Sequence, residues 1–186
     1  MDEAIKKSLE ILNSGGLLLY PTDTVWGIGC DASNENAVRK IYELKKRDDS
    51  KALVCLVNGL TMLKDYIPEV SDNVLEVLKH SEKPTTVIYN NPVGMAQNLI
   101  ASDNTIAIRI AIHEFCEKLI AEFGKPIVST SANISGEATP KSFTEISKPI
   151  LKGVDYIVNL QKEKIATKAS TIIRVEVDGN ITIIRE

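Results

Sequence analysis

Side chains able to hold an anionic small molecule are concentrated in two stretches of the 186-residue chain, Leu17 to Val57 and Ile127 to Gly136. In the first, Thr22-Asp23-Thr24 offers two hydroxyls and a carboxylate directly after an apolar run, and Gly27 and Gly29 would let the backbone approach a ligand closely. A polar turn would explain any one of these residues, but not their density. Lys45, Arg47 and Lys51 then belong to a basic cluster that also holds Lys46. One or two cations complement a helix C-terminus through its dipole; four within Lys45 to Lys51 exceed that need. An arginine fork with lysine point charges suits a polyphosphate or a carboxylate. In the second stretch, Ser129-Thr130-Ser131-Ala132-Asn133 repeats the hydroxyl-rich strand end and adds an amide that both donates and accepts. A Ser/Thr-rich turn is the ordinary alternative there. Arg109 sits among isoleucines, where an unpaired charge is expensive, so it should meet a protein carboxylate or an anionic ligand. Arg185 is either a solvated end or a further phosphate contact.

Other chemistries lack support. No G-x-x-x-x-G-K-[ST] or G-x-G-x-x-G sequence is present. His80 and His113 lie beside apolar segments without a motif, which argues against a serine triad. Cys30, Cys55 and Cys116 are odd in number and lack metal-ligand spacing, as expected of reduced core residues. Trp26, the single tryptophan, fits the core or a pocket wall.

The elements that must position these groups follow from periodicity. Helical spacing predicts a helix over Asp2 to Ser14, stopped by Gly15-Gly16. An interior strand spans Leu17 to Tyr20 and ends at Pro21. Ser33 is expected to cap a helix from Asn34 to Lys46, and Ala52 to Val57 reads as the next strand. Helices are predicted over Leu60 to Ile67, Ser71 to His80 and Glu114 to Phe123. Strands are predicted over Thr86 to Tyr89, Thr105 to Ile112, Ile127 to Ser129, Tyr156 to Leu160, Thr171 to Val177 and Ile181 to Ile184. Ser142 and Glu145 resemble a capping box, and Asp178-Gly179-Asn180 a hairpin turn. Strands alternating with helices imply an α/β fold with a mixed sheet. Length and the absence of a linker imply one domain over 1–186. The net charge of −3 argues against a whole-surface nucleic-acid binder, while leaving room for a local basic patch. Neither a signal peptide nor an apolar run of membrane-spanning length is visible, which points to a cytoplasmic protein.

Taken together, Tyr20 to Ala32 (YPTDTVWGIGCDA), Lys45-Lys46-Arg47 with Lys51, the AIRI strand around Arg109, and STSANISGE at Ser129 to Glu137 resemble the YrdC (TsaC-type) family of L-threonylcarbamoyladenylate synthases. The resemblance runs over nearly the whole chain. It implies a twisted mixed β-sheet flanked by helices with a concave basic site. It also implies a nucleotidyl transfer joining L-threonine, bicarbonate and ATP into threonylcarbamoyl-AMP and pyrophosphate, with Mg2+ carried on the ATP phosphates. The product would pass to partner proteins that modify tRNA. Carried over by motif, Lys45 and Ser131 turn toward the phosphates, Arg47 toward threonine or phosphate, and Asn133 toward the nucleotide. Thr22 and Thr24 line the threonine pocket, Lys51 and Arg109 bind anionic groups, Thr130 joins the substrate-binding set, and Ser170 and Arg185 close the nucleotide side. Asp48 after the K-x-R element, Glu82-Lys83-Pro84-Thr85-Thr86 and Ala111 depart from the family pattern. They leave a YciO-like paralogue, or a module that binds tRNA or double-stranded RNA, as alternatives.

Overall fold

Apolar residues at helical spacing fold Asp2–Asn13 into α1 in the computed structural model, with Ala4, Ile5 and Leu12 buried. The structure describes residues 1–48, 53–81, 83–165, 170–176 and 179–186. The chain continues through β1 (Leu18–Tyr20), β2 (Gly27–Gly29), α2 (Glu35–Lys45), β3 (Val54–Val57), α3 (Leu60–Tyr66), α4 (Asp72–His80), β4 (Thr85–Asn90) and β5 (Thr105–Ile110). It closes with α5 (Glu114–Phe123), β6 (Ile127–Ser131), α6 (Lys148–Gly153), β7 (Tyr156–Ile157), β8 (Thr171–Val175) and β9 (Ile181–Arg185). Among the described residues these form a nine-stranded mixed sheet in the order β7-β1-β2-β6-β3-β5-β4-β8-β9.

Several local expectations are corrected. The loop after Pro21 contains β2, a strand too short and too glycine-rich to show period-2 patterning. The cap of α2 is Asn34, whose side chain accepts from the Asn36 and Ala37 amides, while the Ser33 hydroxyl donates to Asp31 Oδ1. Ser142 caps nothing with its side chain; its hydroxyl meets Thr144 Oγ1, and Glu145 accepts from the Lys141 amide. The helix at Lys148–Gly153 follows instead, with proline in its first turn. Strand β6 runs on into the hydroxyl-rich stretch as far as Ser131.

Alternation along the strands separates the two sheet faces. On one, Ile106, Ile108, Val87 and Cys55 join the larger core with residues of α2, α3, α4 and α6. On the other, Leu18, Tyr20, Leu56 and Ile127 pack with α1 and α5. That second face also carries Arg109 opposite Thr86, Thr86 beside Ile172, and Ile172 beside Arg185. Ser131 stands opposite Gly27 and Ser129 opposite Val54. One half of the face is thus apolar and roofed by helices, and the other half is polar.

Gly29 belongs to the packing and not to a ligand contact. A Cβ there would stand 2.3 Å from Val128 O and 2.7 Å from the Tyr20 ring, whose hydroxyl itself donates to Val128 O at 2.9 Å. Gly29→Ala should therefore destabilise the fold by ~1–3 kcal/mol, read as a lowered urea midpoint with an unchanged m-value.

Candidate functional site

On the polar half of the second face lies a cavity of about 470 Å3, within the size range of small-molecule sites. Thr22, Thr24 and Val25 from the β1–β2 connection form one wall with Gly27, and Ser129, Thr130 and Ser131 of β6 continue it. Arg47 enters from the end of α2, Arg109 from β5, Ser170 and Ile172 from the β8 side, and Arg185 from β9. Eight of the expected positions meet here: Thr22, Thr24, Arg47, Arg109, Thr130, Ser131, Ser170 and Arg185. The segment Thr139-Pro140-Lys141 also lines the cavity; no pattern in the sequence marked it, and only the basic side chain of Lys141 could have drawn attention. Lys51 lies outside the described residues.

Hydrogen bonding defines what each hydroxyl has left to offer. Thr22 Oγ1 donates to Val25 O at 2.7 Å and accepts from the Thr24 amide at 3.0 Å. Its single proton is thereby spent, so Thr24 is the donor in the 3.1 Å contact between the two hydroxyls. Thr24 keeps its lone pairs and can accept from a ligand. At the opposite wall, Ser170 Oγ meets Thr86 Oγ1 at 2.9 Å. Arg185 donates from Nε and Nη2 to Ser170 O at 3.2 and 2.8 Å, which ties β9 to the start of β8.

Two expected residues do not form the wall. Lys45 is 1% exposed, and its ammonium donates to Ser131 O and, at 2.7 Å, to Asn133 O. The side chain thus bolts the end of α2 to the end of β6, reinforced by the Ser135 amide donating to Lys45 O. Burial, and then the nearby Arg47 charge, lower its pKa to about 8. Asn133 spends its amide protons on Ile134 O and Glu137 O, at 3.0 and 2.8 Å, and holds the turn that follows β6. Lys46 is left-handed at φ 49° in the C-cap of α2, with Arg47 N closing on Tyr42 O, and this turn brings Arg47 to the cavity.

Arg109 meets the protein carboxylate expected of it. Its Nη2 lies 2.9 Å from Asp23 Oδ1, and the two side chains are 6% and 5% exposed. The cysteines are buried and free; burial holds the Cys55 thiol up at about 12 and raises Cys30 and Cys116 as well. None of them is a nucleophile at neutral pH. His80 pairs with Glu76 on an exposed helix face, and His113 meets Gln161. Trp26 is buried, with its ring 5.0 Å from that of Phe143. Among the described residues the cavity is lined by serines, threonines, three arginines and Lys141 and by no aspartate or glutamate, and no cluster of metal-ligating side chains occurs. That donor set does not fit a resident Mg2+.

A cavity on the open half of a mixed α/β sheet, built from strand ends and lined by three arginines, gives this α/β protein a concave basic site suited to an anionic small molecule. The chain belongs to the Sua5/YciO/YrdC family, whose model, described as "Telomere recombination", matches residues 10–186. It is similar to the threonylcarbamoyl-AMP synthase of Idiomarina loihiensis, 34% identical over 147 residues that cover 77% of this chain and 79% of the relative. A putative threonylcarbamoyl-AMP synthase of Methanocaldococcus jannaschii is 36% identical over 192 residues, 100% of this chain and 88% of that one. Among solved structures, P. abyssi Sua5 complexed with L-threonine superposes with a TM-score of 0.85 at 25% identity, over 97% of this chain and 53% of that chain. E. coli YciO shares the fold, with a TM-score of 0.87 at 24% identity over 100% and 90% of the two chains. The chain thus spans about half of the P. abyssi protein. Among the described residues no helix is long and apolar enough to cross a membrane.

Proposed function

We propose that this protein is a threonylcarbamoyl-AMP synthase, a nucleotidyltransferase that releases pyrophosphate from ATP in the presence of L-threonine and bicarbonate. The observation that carries the reading is the cavity itself. Arg47, Arg109 and Arg185 face a space walled by threonine and serine hydroxyls, the set needed to hold a carboxylate and a polyphosphate together. The threonine amine adds to CO2 derived from bicarbonate and loses a proton, giving a carbamate. A carbamate oxygen attacks the α-phosphorus of ATP, and the bond to the β-phosphate oxygen breaks, releasing pyrophosphate. No side-chain nucleophile is needed; the residues position the reactants and neutralise charge. Thr22 and Thr24 would hold threonine, Arg47 and Ser131 the phosphates, and Ser170 with Arg185 the nucleotide end, while Lys45 and Asn133 shape the wall from behind. Mg2+ would arrive on the ATP phosphates. The product is a mixed anhydride, destined for cytoplasmic partner proteins that modify tRNA.

The test is pyrophosphate release on incubation with ATP, bicarbonate and L-threonine. Release that requires all three is expected. Release indifferent to threonine, or salt-sensitive tRNA binding without turnover, would overturn the synthase reading and favour the RNA-binding one.

A further inference from the structure

Thr22 and Thr24, which line the cavity, flank a residue that does not. Asp23 is outside the lining and meets Arg109, which is part of it. The contact is single: Nη2 to Oδ1 at 2.9 Å. Arg109 Nε and Asp23 Oδ2 are both buried and have no hydrogen-bond partner among the described residues. Their surroundings give little help, because Tyr20 and the Cys116 thiol are close enough to feel both charges or one of them, and burial keeps both of those groups uncharged. Buried ion pairs are seldom more stabilising than apolar packing, and one with unspent valences is less so than a closed one. The arrangement is therefore poorly explained as a device for stability. It is well explained as a device for aim. Arg109 rises from the middle of the sheet and Asp23 from the β1–β2 connection, so the pair locks the hydroxyl-bearing loop to the strand that supplies the cation. With Nη2 held by Asp23 and Nε buried, Nη1 is the nitrogen left for an incoming anion, in an orientation set before the ligand arrives.

We propose that Asp23 is a positioning residue that presets Arg109 for a substrate carboxylate or phosphate. This rests on the synthase reading for the identity of the substrate, but not for the existence of the anion site. The pair also confers specificity of place. Without Asp23, Arg109 would have to retain its charge in a low-dielectric floor with no fixed partner, and it would follow the ligand rather than direct it.

The experiment titrates L-threonine, ATP and inorganic pyrophosphate calorimetrically into the full chain and into Asp23→Asn, Arg109→Gln and the double variant. Turnover is measured on the same samples. In Asp23→Asn, whichever of the carboxylate or phosphate ligands Arg109 holds should bind about tenfold more weakly, with a matching rise in KM and a much smaller change in kcat; the other ligand should be unaffected. The double variant should be no worse than Arg109→Gln alone, the non-additivity expected of a residue acting through another. Wild-type affinity for all three ligands in Asp23→Asn, losses that add independently, or a wild-type protein that binds none of the three would overturn the proposal. If the binding pattern holds but threonine-dependent pyrophosphate release is absent, the synthase reading falls and the positioning role stands. If turnover is present and Asp23→Asn leaves KM unchanged, the positioning role falls and the synthase reading stands. Should Asp23→Asn fail to fold, Asp23→Glu carries the test. It keeps the charge and displaces the guanidinium by one methylene, and unchanged affinity in it would be equally damaging.

Discussion

Lys45→Met should lower kcat/KM for ATP about a hundredfold, or ~2.7 kcal/mol of transition-state stabilisation. The substitution keeps most of the side chain's volume while removing both the charge and the donors to Ser131 O and Asn133 O. Two carbonyls that end the wall-forming strand would then be under-satisfied, at a cost of ~1–3 kcal/mol each where no water reaches them, so lower stability should accompany the lost activity. The pH dependence separates the two roles. With its pKa lowered to about 8, the Lys45 ammonium becomes a neutral amine in mildly alkaline solution. That amine still has two protons for the two carbonyls, so the bolt survives deprotonation and the positive potential does not. Wild-type kcat/KM for ATP should therefore fall as pH rises through about 8, and Lys45→Met should lack that step. Stability moves the other way. The folded pKa lies below the ordinary lysine value of 10.5, so between the two the unfolded chain binds more protons and stability rises with pH. Activity falling and urea midpoint rising across the same window is the expected signature; a flat kcat/KM profile would show that the buried charge does not contribute.

Arg47→Ala should also reduce kcat/KM about a hundredfold, the scale on which removing one group that neutralises charge in a transition state acts. It should differ from Lys45→Met in stability. Arg47 is half-buried at the cavity edge, and the left-handed turn before it is made by backbone groups that alanine retains. A change in melting temperature within about 4 °C is expected, corresponding to no more than about 1 kcal/mol. Full activity in Arg47→Ala, measured as threonine-dependent pyrophosphate release, would move the phosphate site elsewhere in the cavity.

Much of this arrangement was legible in the sequence because strand ends and helix ends leave local marks. The hydroxyl run that ends β6, the basic end of α2 and the lone arginine of β5 each stood out from an apolar background, and all border one cavity. What stayed hidden was direction and long-range partnership. The side chain of Lys45 lies close to Arg47 in sequence, yet Lys45 points into backbone carbonyls while Arg47 reaches the cavity; a helix terminus does not declare which of its cations turns inward. The strand Gly27–Gly29 carries one side chain beyond hydrogen, so alternation had nothing to display. Asp23 and Arg109 are separated by 86 residues, and their pairing depends on a sheet order that period alone does not give. The expected capping box failed because Ser142 and Glu145 found other partners close by.

The order in which strands lie side by side has a kinetic meaning. Strand β6 is inserted between β2 and β3, β7 closes against β1, and Arg185 of the last strand lines the same cavity as Thr22 near the first. Such lacing makes contacts between sequence-distant segments the rule, and these form slowly because large loops must close first. No early-folding fragment can contain the cavity. Threonine or ATP binding should therefore appear late in refolding, together with the final closure of the sheet.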